Sequence, residues 1–127
     1  MLVRCINNDK SDGCKHDVTI GRVYAVLEVS FAGYEKHRKF VIQRDSDGYP
    51  CLFDFSLFEI DDMRVPNNWC LEPLDASYFG ANSFDLGPKE FADYKSFWDK
   101  FHDDDDEAMR IFLEVLKKIW AFHGFEA

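Results

Sequence analysis

Apolar and polar positions alternate in short runs over the first half of the chain, and the period then changes. Leu2 to Ile6 predicts a first strand, followed by the polar, Gly-containing run Asn7–Gly13. Asp17-Val18-Thr19-Ile20-Gly21-Arg22 leads directly into Val23-Tyr24-Ala25-Val26-Leu27-Glu28-Val29. Those seven residues are rich in β-branched and aromatic types, and Gly21 marks a tight backbone position just before them. Phe40-Val41-Ile42-Gln43 predicts a third strand. Asp45-Ser46-Asp47-Gly48 reads as a turn, because Asp side chains bond their own backbone and Gly accepts positive φ. Tyr49 to Phe53 is the returning arm, with Pro50 placing it at an edge or at its start. A short strand around Phe58-Glu59-Ile60 closes the set. Five short strands without an intervening helix predict a small, mostly antiparallel barrel or sandwich.

After Gly87-Pro88 the apolar residues Phe91, Tyr94, Phe97, Trp98 and Phe101 recur at helical spacing, with Pro88 suited to the first turn. A second helix follows Asp103–Asp106, its expected apolar face formed by Met109, Phe112, Leu113, Leu116, Ile119, Trp120 and His123. Gly124 suits the position just past its end, and Lys117 and Lys118 suit its negative pole. Between the halves, residues 61–87 keep no period, yet carry Trp69, Leu71, Leu74, Tyr78, Phe79 and Phe84. That apolar load predicts an extended segment laid over the strands, with one further strand near Trp69-Cys70-Leu71.

Composition narrows the class. The 127 residues include 46% hydrophobic and 17% aromatic types, too many for a disordered acidic chain. No stretch approaches the roughly 18–20 apolar residues of a membrane span. The start, Met-Leu-Val-Arg-Cys-Ile-Asn-Asn, has no apolar signal core, so cytoplasmic residence is the expectation. The net charge of −9 is unevenly placed. Residues 1–44 hold eight Lys and Arg against five acids, a net of +3, and residues 45–127 carry −12. An acidic rear half works against phosphate contact and favours a basic protein partner.

Cys5, Cys14, Cys51 and Cys70 form no dense framework, and free thiols are expected. Cys5 and Cys51 sit among apolar neighbours and look like small core residues. Zinc binding through Cys5, Cys14 and His16 would lack the usual Cys-x-x-Cys pair. Asp45-x-Asp47-Gly48 fits a calcium loop badly, since the register puts Gln43 and Asp54 at the terminal ligand positions. Cys14 near His16, and Cys70, lack the base, orienting group and oxyanion element that a nucleophile needs. No phosphate-binding, dinucleotide or hydrolase motif is present. The expectation is no enzyme, no catalytic residue, no metal and no cofactor.

Thr19-Ile20-Gly21-Arg22-x-Tyr24-x-Val26, the later Phe40-x-Ile42 with Asp47-Gly48, and Ser56-x-Phe58 carry a resemblance. They resemble small, mostly uncharacterised SH3-like β-barrel proteins of bacteria and phages, over residues 1–60 only. The chain departs from that pattern at Arg22, where Lys is usual, in a long 30–39 connection, and in its helical extension. The resemblance implies a five-stranded barrel and assigns no catalytic residue.

The fold expected is therefore α+β in a single domain, residues 1–127. It comprises an SH3-like antiparallel barrel over 1–60, a covering segment over 61–87 and a two-helix extension over 88–127. Asp103, Asp104, Asp105, Asp106 and Glu107 exceed what one helix cap requires, since capping accounts for one or two of them. Together with Trp69, Tyr78 and Phe79 they are the expected partner-binding residues, rings anchoring and charge steering. The leading expectation is an acidic immunity-type inhibitor that neutralises a basic protein toxin. The alternative is an accessory module that binds nucleic acid or a peptide through the barrel. For nucleic acid, Arg22, Lys36, Arg38 and Lys39, with Tyr24 and Phe40, would supply the patch.

Overall fold

The β-branched and aromatic runs of the front half do become strands, and each polar Asp/Gly cluster becomes a turn. The computed structural model describes residues 1–33 and 37–125. In chain order it holds β1 (Leu2–Cys5), β2 (Val23–Ala25), β3 (Glu28–Phe31), β4 (Arg38–Gln43) and β5 (Pro50–Asp54). A 3-10 turn (Phe55–Leu57) leads to β6 (Phe58–Asp62). Then follow β7 (Trp69–Pro73), α1 (Ala76–Phe79), β8 (Phe84–Pro88), α2 (Lys89–Asp93), α3 (Phe97–His102) and α4 (Asp106–Phe122).

The strands make two antiparallel sheets, one ordered β2-β1-β6 and one ordered β5-β4-β3-β8-β7. β2 and β3 belong to one run of chain that crosses from the first sheet to the second at Val26-Leu27. There the Val26 N–H donates to the Met1 carbonyl at 3.0 Å, and the Leu27 N–H to the Val41 carbonyl at 2.8 Å. Period-2 alternation then divides β3 between two faces. Val29 and Phe31 enter the core between the sheets with Val3, Cys5, Phe40, Ile42, Phe53 and Phe58. Glu28 and Ser30 take the opposite face.

The expected closed five-stranded barrel is not formed. β8 pairs along the free side of β3, Val29 opposite Leu86 and Phe31 opposite Phe84, so the second sheet widens to five strands. Residues 61–87 are accordingly not only a covering segment: β7, at the expected Trp69-Cys70-Leu71, and β8 pair as a hairpin. Phe84-Asp85-Leu86-Gly87-Pro88 looks like loop because Asp, Gly and Pro favour turns. Gly87 lets Glu28 pack closely against β8, since a Cβ would stand a tight 3.1 Å from the Glu28 Cγ.

The expected first helix is broken in two. Tyr94 leaves helical geometry and Ser96 adopts a left-handed conformation at φ 60°, which re-aims α3 relative to α2. The second helix is present, turned slightly from the expected face. Ala108, Phe112, Val115 and Ile119 are its buried stripe, packed with Leu2, Ala25, Leu27, Val41 and the α2–α3 phenylalanines. Met109 and Leu113 consequently face outward. His123, just past the end of α4, has a buried side chain and bonds Asp62 of β6 at 3.1 Å, fastening the helix end to the first sheet. No disulfide links the four cysteines: Cys5 is buried, Cys14 exposed, and Cys51 and Cys70 lie between. Cys51 is thus less deeply placed than its apolar neighbours suggest.

Candidate functional site

An acid interrupts the most apolar run in the chain. Glu28 follows Val26-Leu27 and precedes Val29, and it is only 7% exposed. Its side chain lies on the outer face of the five-stranded sheet, under α3. The Trp98 indole Nε1–H donates to Glu28 Oε2 at 2.5 Å. On the neighbouring β8, Asp85 stands opposite Ser30 in register and is hydrogen-bonded to the Glu28 carboxyl. Burial pushes the Glu28 carboxyl up to about 8; the Asp85 carboxyl beside it acts in the same direction and the Trp98 hydrogen bond against it. At neutral pH Glu28 therefore keeps its proton.

This pair lies at the junction of two depressions. The larger is a cleft of about 710 Å³ with Glu28 and Asp85 at its floor and Tyr49, Phe79, Trp98 and His102 on its walls. A smaller one of about 230 Å³ continues toward β7, where Cys70, Glu72 and Gly87 line it. Asp99 of α3 borders both. The Tyr49 hydroxyl is hydrogen-bonded to His102 Nδ1 at 2.6 Å, tying the β4–β5 hairpin to the end of α3 across one rim. At the other rim Ser83 Oγ accepts from the Gly33 N–H at 2.7 Å and holds the end of α1, and with it Phe79, near the β3–β4 connection.

The expected partner residues divide. Phe79 lines the cleft, and Tyr78 beside it is 74% exposed. Trp69 does not reach the cleft. It is half-buried, packs against both cores, and keeps its indole N–H buried without a partner. Asp105 is the α4 cap, accepting from the Ala108 N–H at 2.9 Å and from the Tyr94 hydroxyl at 2.8 Å. Glu107 is bridged to Arg110. Asp103 closes α3, directly after His102 on the cleft rim. Asp104 takes a left-handed φ of 59° and is exposed, as is Asp106. The run thus supplies one cap and three acids free of any ion pair among the described residues.

Among the described residues, Arg22 stands apart from Arg38 and Lys39 of the expected nucleic-acid patch. Lys36 lies outside the described residues. Arg22 pairs with Asp45 at 2.8 Å, beyond the Gln43 end of β4, whereas Arg38 and Lys39 stand at its beginning. A strand of that length separates the two groups by roughly 20 Å. The residues behind the family resemblance have a structural role instead. Asp45 collects the Thr19 hydroxyl at 2.6 Å, the Arg22 guanidinium and the Tyr24 hydroxyl at 2.7 Å, pinning the 6–22 loop to the β4–β5 hairpin. Gly21, at φ 89°, makes the turn that brings these side chains together.

Sequence reasoning missed Glu28, Asp85, Trp98 and Asp99 as a group. One signal was available: a carboxylic acid inside a continuous apolar strand. Among the described residues no group of three or more His, Cys, Asp or Glu is placed to hold a metal ion. None of their helices is long and apolar enough to cross a membrane. No protein-family model, no curated protein and no solved structure matches the chain.

Proposed function

We propose that this chain is a non-catalytic acidic binding protein, an immunity-type inhibitor that engages and neutralises a basic protein toxin. The observation that carries this reading is the aromatic-walled cleft, with a buried carboxyl pair, Glu28 and Asp85, at its floor. Residues 45–127 carry a net charge of −12, which favours a basic partner and can steer its approach. Tyr78 at one rim and Met109 and Leu113 on α4 add exposed apolar contact area of the kind that anchors an interface.

The SH3-like reading of residues 1–60 belongs to the same proposal. Its support is connectivity: β1 pairs both β2 and β6, the β2–β3 run serves both sheets, and a 3-10 turn precedes β6. On this reading the β7–β8 hairpin and the helices are additions that create the acidic cleft on a bacterial or phage barrel. The second reading, nucleic acid binding through the basic front, has the scattered Arg22 and Arg38 against it.

Co-expression tests the proposal. A toxin-like gene beside this one should arrest growth when expressed alone, and growth should return when this chain is co-expressed. A harmless neighbour, or arrest that persists with this chain abundant, contradicts the reading.

A further inference from the structure

We propose that the cleft is a receptor for one arginine side chain of the partner, its guanidinium seated on Glu28 and Asp85 beside Trp98. This rests on the partner-binding reading above and specifies what the cleft grips.

Glu28 is more than nine-tenths buried, yet no Lys, Arg or His pairs with it among the described residues. With no cation beside it, Glu28 stays buried by keeping its proton, and the open cleft above it lets a cation from outside take that proton's place beside Asp85. β7 contributes Glu72 and Cys70, β8 contributes Asp85, and α3 contributes Trp98 and Asp99. The cations at the margin are not free to neutralise it: Arg44 is held two-pronged by Asp47, both bonds at 2.7 Å, and His102 is engaged by Tyr49. His37 and Cys51 complete the titratable lining on the far wall.

The geometry selects arginine over other cations. A planar guanidinium presents parallel N–H donors that two adjacent carboxyls can accept together, and an aromatic wall adds cation–π attraction. An ammonium uses the charge but not the plane. The volume of about 710 Å³ exceeds one side chain and leaves room for the flanking residues of a partner loop. Entry of the guanidinium replaces the Glu28 proton, which passes to solvent, so binding tightens as pH rises toward about 8.

The test is an NMR titration with N-acetyl-arginine N-methylamide, read at the Trp98 indole N–H, identified by its disappearance in Trp98→Phe. The expected result is a saturable shift, on the order of millimolar in affinity and tighter at pH 8.5 than at pH 6. Glu28→Gln should weaken binding at least tenfold, and Asp85→Asn, at a half-buried position, serves as the second variant. The uncharged citrulline analogue should not bind, and the lysine analogue should bind more weakly. No saturable shift, equal binding of citrulline, or tighter binding of the lysine analogue or Mg²⁺ overturns the site. An arginine analogue that binds while no toxin is neutralised removes the immunity reading and leaves the site. A toxin neutralised equally by Glu28→Gln removes the site and leaves the reading.

Discussion

The Trp98 indole donates to the Glu28 carboxyl across 70 positions of sequence, joining the short helix α3 to the middle of the β2–β3 run. This bond fixes how far α3 lies over the sheet, and therefore how the acidic cleft is shaped. Glu28 is also the residue whose chemistry departs most from its ordinary behaviour, and its protonation should be visible in the stability of the whole chain.

The sign follows from the raised carboxyl. Folded Glu28 holds its proton up to about pH 8, against an ordinary value of 4.5, so the native state binds the proton more tightly than the unfolded one. Its contribution to stability is fully present below pH 4.5 and declines as pH rises toward 8, with a slope approaching about 1.4 kcal/mol per pH unit. Urea unfolding from pH 5 to 9 should show that decline for the native sequence and a flatter profile for Glu28→Gln. Equal slopes would remove Glu28 as the cause. Trp98→Phe, which deletes the opposing hydrogen bond, should move the Glu28 titration further upward in carboxyl NMR.

The Asp45 hub should dominate the stability of the front half. Asp45→Ala strips three donors of their acceptor and should cost about 1.5–3 kcal/mol. Arg22→Ala, which removes an exposed partner, should cost less than about 1 kcal/mol. Tyr24, whose hydroxyl is pushed up to about 12 by burial and by Asp45, should titrate nearer its ordinary value in the Asp45 variant. Denaturation and ultraviolet titration measure both. An Arg22 effect as large as that of Asp45 would contradict the hub.

The acidic run should separate into structural and steering residues. Asp105→Ala removes the α4 cap and the Tyr94 contact and should lower the melting temperature. Asp103→Asn, Asp104→Asn and Asp106→Asn should leave the melting temperature nearly unchanged and slow association with a basic partner. Equal thermal effects at all four positions would make the run purely structural.

Gly33 should resist substitution for want of space. A Cβ there would lie 2.2 Å from the Ala81 carbonyl oxygen, so Gly33→Ala must part the β3–β4 connection from the α1 segment. The expected loss is about 1–3 kcal/mol. Amide exchange should quicken at Gly80, whose N–H bonds the Ala76 carbonyl at 3.0 Å. Unchanged exchange there would show that the lip is held by other contacts.

Where local chemistry decided the outcome, the sequence was readable. Phe40–Gln43 and Tyr49–Phe53 carry strand formers between turn formers and pair as the expected hairpin, whereas the one strand expected over Val23–Val29 becomes β2 and β3, in different sheets. Pro50 sits at the start of β5, opposite Gln43 on the sheet edge. Tertiary context decided the rest. Asp85, Gly87 and Pro88 look like loop, but Gly87 packs closely against Glu28, and Pro88 ends the strand opposite Trp69. Ser96 carries no helix-breaking chemistry, yet its left-handed backbone splits one helical stripe into two. The cleft was invisible for the same reason: its floor and walls come from β3, β8, α3 and the β4–β5 hairpin, brought together only by sheet order.

The most direct measurement is the association rate of the purified chain with the basic toxin that the proposed function calls for, once a neighbouring gene supplies it, followed by stopped flow at rising ionic strength. The account predicts a fast rate at 50 mM salt that falls at least tenfold by 500 mM, since screening shortens the reach of the acidic surface. A rate that does not change with salt would contradict it.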